Sequence, residues 1–456
     1  MDWTIFGPIA GVLGLGATIY YGRRALRGRR PPPTPATDPQ GISLTVPPPP
    51  PGTTRAQITL TIDYVDGLPE AAPKIRDPFL EARKLEKEYK YREAIQQYQA
   101  CFQAETTASQ RAALHILIGN CFLSLSELEE AAGHYRQAET AAKEAGEKEG
   151  LAAALGNIGL IYQTRGELDT ALDYFQQALN MNREIGRKEG EASALGNIGI
   201  IYKDRGELDK ALDYLQQVLE IEGEIENLQG EASTLGNIGL IYQTRGELDK
   251  ALEYHQQSLK IEREIGRKEG EASDLGNIGA LYGTTGELDK ALDYFQQTLK
   301  IEREIGRKGG EAKALGNIGI IYRHKGELDK ALDYLHKALK IQKEIGDREG
   351  QAVQLGNIGI IYKDRGELDK ALDYHQQSLK IGREIGRRQG EASDLHNIGL
   401  ICSEKGEPDK ALEYLEQALK LFEQIGARIE VEQTKQSIQQ LRKRMEEPRG
   451  QDSGNV

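Results

Sequence analysis

The tetrapeptide Gly-Asn-Ile-Gly begins at Gly156, Gly196, Gly236, Gly276, Gly316 and Gly356, and a seventh copy reads His-Asn-Ile-Gly from His396. The step is forty residues each time. Gly-Glu pairs starting at Gly166, Gly206, Gly246, Gly286, Gly326, Gly366 and Gly406 keep it. The period runs backward too, since Gly119 is forty before Gly159 and Ala131 forty before Ala171. A shorter step of 37 links Ala131 to Ala94, giving nine units from about residue 75 to 427. Internal repetition at this spacing is the mark of a stacked array, because one short unit cannot bury its own apolar face. Composition agrees. Length alone suggests about three domains of ~150 residues, yet 38% apolar and 6% aromatic content is thin for three separate cores. Of the 16 prolines, 13 lie between Pro31 and Pro78, and only Pro408 falls inside the long region that follows, so the body is compatible with helix.

One unit reads as two helices. Leu155, Ile158, Gly159 and Tyr162 fall at i, i+3, i+4 and i+7, one face of a first helix. Gly166 ends it, glycine being the residue that tolerates a left-handed cap. Leu168, Ala171, Leu172, Phe175, Ala178 and Leu179 form the apolar face of a second helix, which Gly186 ends. Basic Arg187 and Lys188 suit its negative dipole end. Small Gly159, Ala171 and Ala178 let the helices approach while large neighbours interlock around them.

Gly159, Tyr162, Gly166, Ala171, Phe175 and Ala178 resemble the small/aromatic signature of the tetratricopeptide repeat, a helix-turn-helix usually 34 residues long. The longer unit, with GNIGLIY and ALDYFQQAL, is similar to the arrays of Pins-type spindle-orientation adaptors and kinesin light chains. The resemblance implies an all-α, right-handed superhelical solenoid of about nine repeats over residues 75–427. It also implies a concave groove lined by the first helices. Residues 428–446 read as a polar-faced capping helix, which such ends require, and residues 447–456 as a disordered tail.

No catalytic constellation stands out. Three cysteines cannot make a disulfide framework, and no CxxC pair or Cys/His metal spacing exists. Cys402 stands in the Tyr162 slot, Cys121 in the Ile161 slot and Cys101 in the Ala178 slot, which makes them core fillers. His255 and His375 occupy the Phe175 slot and read as packing residues. The acids of each GELD sit at second-helix starts, where the dipole favours them. No phosphate-binding GxxxxGK[ST] and no nucleophile elbow is present. The expectation is a non-enzyme with no cofactor, no metal and no small-molecule substrate.

The groove implied by the resemblance presents Asn157, Asn197, Asn237, Asn277, Asn317, Asn357 and Asn397 as a ladder, absent at Leu117 and in the first unit. Asparagine offers two donors and an acceptor, enough to hold the backbone of an extended peptide, and family members often use the matching residue so. Lys313, Arg323 and Lys363 add a locally basic stretch. Agreement at exposed positions such as KALDY and EIGRKEGE points instead to recent duplication, which copies asparagines regardless of use.

The amino-terminal region reads differently. Residues 3–22 carry no charged side chain, and twenty helical residues span ~30 Å, the thickness of a hydrocarbon core. Arg23, Arg24, Arg27, Arg29 and Arg30 follow, with Asp2 alone before. The positive-inside rule then puts the amino terminus outside and the array in the cytoplasm. Residues 1–30 are thus expected to be a retained single-pass anchor. Residues 31–74 form a Pro-rich, polyproline-II spacer with one strand-like segment at 58–65. The formal charge is −12; one Asp and five Arg give residues 1–30 a charge of +4, leaving −16 for the rest, which disfavours nucleic acid. The expected function is a membrane-anchored scaffold holding a protein segment or domain in its groove. The alternative is a receptor or assembly factor handing client proteins to a membrane complex.

Overall fold

The computed structural model describes residues 73–446. Nineteen α-helices cover them, arranged as nine helix-turn-helix pairs and one further helix. The first helices are Pro73–Lys87, Ala108–Ser124, Lys148–Thr164, Lys188–Asp204, Leu228–Thr244, Lys268–Thr284, Lys308–His324, Arg348–Asp364 and Arg388–Glu404. The second helices are Tyr91–Ala100, Leu128–Ala145, Leu168–Glu184, Leu208–Glu224, Leu248–Ile265, Leu288–Glu304, Leu328–Glu344, Leu368–Glu384 and Pro408–Ile425, and Arg428–Glu446 follows. Among the described residues, 73–270 and 271–446 belong to two separate compact units.

The turns show why the glycines recur. Gly166 has φ +77°, and the Glu167 amide donates back to the Tyr162 carbonyl at 2.9 Å, closing the helix end as a left-handed cap does. Glycine also sets the helix spacing. A Cβ on Gly159 would stand 2.8 Å from the ring of fully buried Phe175, and one on Gly359 would stand 2.7 Å from the ring of His375. Each second-helix ring therefore rests directly on first-helix backbone. Three turns break the rule: Tyr89 and Ser126 take φ +61° and +63° in the Gly166 slot, and Glu226 does so in the turn between repeats. Glu226 adopts φ +54° where other turns of this kind hold glycine, such as Gly186 and Gly266. A left-handed conformation costs an L-residue about 1–2 kcal/mol, and glycine gives back part of that in chain entropy. Glu226→Gly is expected to raise stability by about 0.5–1 kcal/mol; an unchanged or lower denaturant midpoint would show that the turn is unstrained.

Within each unit the first helices of successive repeats approach one another, as Lys148–Thr164 does Lys188–Asp204 and Arg348–Asp364 does Arg388–Glu404. Ion pairs join repeats on the outside. Arg165 meets Glu129 at 2.6 Å, Arg245 meets Asp209 at 2.7 Å, and Lys325, Arg365 and Lys405 meet Asp289, Asp329 and Asp369. Each bond reaches back 36 residues to the preceding pair. Singly such exposed bonds contribute about 0–1 kcal/mol, so stability rests on the stacked apolar faces. Cys101, Cys121 and Cys402 are free thiols buried among those faces.

The membrane expectation is corrected. Residues 3–22, the Arg cluster and the spacer lie outside the described residues. Among the described residues no helix is long and apolar enough to cross a membrane. The physical reason is visible in Lys148–Thr164, whose uncharged run from Gly150 to Thr164 reaches roughly 22 Å at ~1.5 Å per residue, short of the ~30 Å a bilayer needs. The fold is an all-α repeat array, and the single-pass topology, the membrane as partner and the receptor reading built on them are set aside.

Candidate functional site

The asparagine ladder runs along seven of the first helices, and the structure places its members unequally. In the unit 73–270, Asn157, Asn197 and Asn237 are buried, at 2%, 2% and 4% exposure. In the unit 271–446, Asn277, Asn317, Asn357 and Asn397 are half-buried. The Nδ2 groups of Asn157, Asn197 and Asn357 have no hydrogen-bond partner, nor has the hydroxyl of Ser193, one turn before Asn197. A buried donor left without an acceptor costs about 1–3 kcal/mol. Packing alone would not keep such groups, since alanine fills the same space without penalty. What this face offers chemically is therefore hydrogen-bond donors lacking internal acceptors.

Two of the three basic residues read as a patch are engaged. Arg323 Nε bonds Asp364 Oδ2 at 2.6 Å, and Lys363 Nζ meets Glu404 Oε1 at 3.2 Å, each pair bridging successive first helices. Lys313 is exposed and belongs to neither pair. Arg323 and Lys363 are thus neutralised locally, which leaves Lys313 as the exposed cation of the stretch.

Sequence reading missed a second row of polar residues, on the second helices. Asn182, Glu222, Glu262, Glu302 and Gln342 share one slot and are all buried. Each faces a glycine of the following helix: a Cβ on Gly230 would stand 2.3 Å from the Glu222 carboxyl carbon, and one on Gly310 would stand 2.1 Å from that of Glu302. In two copies an arginine five residues on satisfies the acid. Arg267 Nε donates to Glu262 Oε2 at 2.6 Å, and Arg307 Nη2 donates to Glu302 Oε1 at 2.9 Å. Position 227 is asparagine, so Glu222 lacks the cationic partner that its sister acids have. Burial then pushes its carboxyl up to about 7, with Glu189 and Glu231 adding to the rise and Asn227 opposing it. The signal was available in the forty-residue register, as an acid followed five positions later by Arg in some copies and Asn in one.

His375 Nδ1 lies 2.9 Å from Asp394 Oδ1, and Ser378 Oγ donates to Asp394 Oδ2 at 2.5 Å. All three are buried, and the hydroxyl bonds the carboxylate rather than the imidazole. This is a packing cluster and not a nucleophile relay. Among the described residues no group of three or more His, Cys, Asp or Glu could hold a metal ion.

Comparison with known proteins gives the following. A tetratricopeptide-repeat model matches residues 150–221, 230–304, 310–384 and 353–424, and a second such model matches residues 79–147. No curated protein matches the chain. Among solved structures, a signal-transduction ATPase with a tetratricopeptide repeat sensor from Pyrococcus horikoshii is similar at TM-score 0.58 and 17% identity. That match covers 82% of this chain, which spans 56% of the ATPase's length. The apo quorum sensor NprR from B. thuringiensis is similar at TM-score 0.58 and 14% identity, over 76% of this chain and 97% of that one. A Rap protein complexed with competence and sporulation factor is similar at 0.51 and 14%, over 81% and 98%. At these identities the likeness is one of fold.

Proposed function

The chain belongs to the tetratricopeptide-repeat family, and on that premise we propose that it is a protein-interaction scaffold holding an extended segment of a partner protein along its first helices. The observation that carries this reading is the set of buried donors without acceptors, Asn157 Nδ2, Ser193 Oγ and Asn197 Nδ2, on one face of neighbouring first helices. A peptide backbone supplies carbonyl acceptors at every residue, whichever side chains it carries. The pairing of Arg323 with Asp364 and of Lys363 with Glu404 makes recognition depend on backbone and shape more than on charge. A protein of the same fold has been solved complexed with competence and sporulation factor, so such a fold can hold a partner. No residue of the chain is assigned a catalytic role.

The test is peptide display on the full chain, followed by affinity measurement on Asn157→Ala/Asn197→Ala. Two hydrogen bonds at about 0.5–1.5 kcal/mol each make the expected loss roughly 5- to 150-fold. Helical content should hold, because the two amide donors have no internal partner and alanine is the better helix former. A control on the second helices, Gln256→Ala with Gln296→Ala, should bind as the parent does. Failure to enrich any peptide, or equal affinity in the asparagine variant, would overturn the reading and leave duplication as the source of the ladder.

A further inference from the structure

The buried slot that holds Glu262 and Glu302 is glycine in Leu368–Glu384, as Gly382, yet the arginine five residues on is kept as Arg387. In the sister copies both groups share one space. The Glu262 and Glu302 carboxyls lie over Gly270 and Gly310, the third residues of the following helices, and Arg267 and Arg307 bond them from the turn. In the Gly382 copy a Cβ on the matching Gly390 would fall on Arg387 Nη1, so the guanidinium bends into the place that the carboxyl takes elsewhere. The acid beside it is Glu349, with Arg387 Nε 3.5 Å from Oε1, too long for a hydrogen bond.

Charge moves the same way. Residues 262–271 carry four acids and three cations, whereas 382–391 carry two acids and three arginines, since Gln389 stands where the earlier copy has Glu269. The two acids that remain are held, Glu384 by Arg348 and Glu391 by Arg383 at 2.8 Å. Arg387 is half-buried and is reached from the turn, where Ile385, Gly386 and Arg388 are exposed.

We propose that Gly382, Arg387 and Gly390 form a binding site for a carboxylate of propionate size, supplied by a free acid or by a glutamate side chain of another protein. The size follows from the substitution. What Glu262 has and Gly382 lacks is a pair of methylenes ending in a carboxylate, which is propionate less one hydrogen. A Cβ on Gly382 would meet nothing nearer than the Glu391 amide nitrogen at 3.8 Å, so the methylenes of a ligand enter without displacing backbone. The part that moves is the guanidinium. Swung back to where Arg267 and Arg307 lie, it frees the place over Gly390 and donates to both oxygens, as Arg267 does through Nε and Nη2. Such a fork selects a carboxylate by geometry as well as charge, and the amino-terminal end of Arg388–Glu404 adds partial positive charge.

The experiment uses the full chain and sodium propionate, read by ligand-observed NMR against sodium chloride at equal ionic strength. Gly382→Glu installs the side chain that the sister copies carry, and Arg387→Asn the residue found at position 227, so each slot already accommodates its new residue elsewhere in the chain. Circular dichroism checks the fold. The expected result is one saturable site with a roughly millimolar Kd, weakened at least ~tenfold in each variant. Propionamide, which has the shape without the charge, should bind at least ~tenfold more weakly than propionate. N-acetylglutamate methylamide separates the sources: affinity at or above that of propionate assigns the site to a glutamate of another protein, and affinity well below it to a free acid. No saturable propionate binding, equal affinity in the folded variants, or equal binding of propionamide would overturn the site.

Discussion

Glu222→Gln is expected to leave stability nearly unchanged at pH 4.5 and to raise it by on the order of 3 kcal/mol at pH 8. The folded carboxyl titrates at about 7 because it is buried without a cationic partner, above its ordinary 4.5. A raised carboxyl pKa means that the fold prefers the neutral acid. Its contribution is complete below about pH 4.5, is lost as pH rises to about 7, and stays lost above that, at 1.36 kcal/mol per pH unit. Glutamine does not ionise, so the gap between variant and parent opens over that window. Urea midpoints at pH 4.5, 6 and 8 measure it. A constant difference across the three would show that the acid has found a partner or escaped burial.

Truncation at Ala427 is expected to cost more than the loss of twenty-nine residues at a chain end suggests. The helix Arg428–Glu446 buries Ile438 and Leu441, at 7% and 5% exposure, against Leu415 and Phe422 of the ninth pair. Burying each such side chain stabilises by about 1.5–3 kcal/mol, an upper figure for the pair of roughly 3–6. At roughly 2–4 °C per kcal/mol for a unit of this size, the first unfolding transition should fall by up to roughly 6–24 °C. Solubility should fall with it, since the bare side of the ninth pair is apolar. A melt and a sedimentation profile matching the full chain would mean that the helix is only a tail.

The architecture was legible because repetition averages out local ambiguity. A single Leu-Gly-Asn-Ile-Gly segment says little, but seven copies in register force one helix and one glycine contact at every copy. The slots filled identically, such as Gly159 over Phe175, could be read directly. What could not be read was pairing between copies. Arg323 and Lys363 look like a basic patch until the structure brings Asp364 and Glu404 beside them, 41 residues on in each case. Glu222 looks like an ordinary surface acid of an amphipathic helix, because its burial depends on Gly230 in the following pair. The apolar run of residues 3–22 misled for a different reason: hydropathy describes a segment, and none of the helices seen in this structure has the length and apolarity to cross a membrane.

The ion pairs that reach back 36 residues bear on how such a gene can change. Each binds a repeat to the one just before it and to no other. Unequal exchange between near-identical copies would remove or insert whole repeats, and every surviving neighbour would still find its partner. The array can therefore lengthen or shorten by single steps without redesign of any contact. The limit is set by the copies that have diverged. Losing the repeat that carries Asp394 takes from buried His375 its carboxylate partner, so each new polar cluster makes one junction less interchangeable and fixes the copy number a little more firmly.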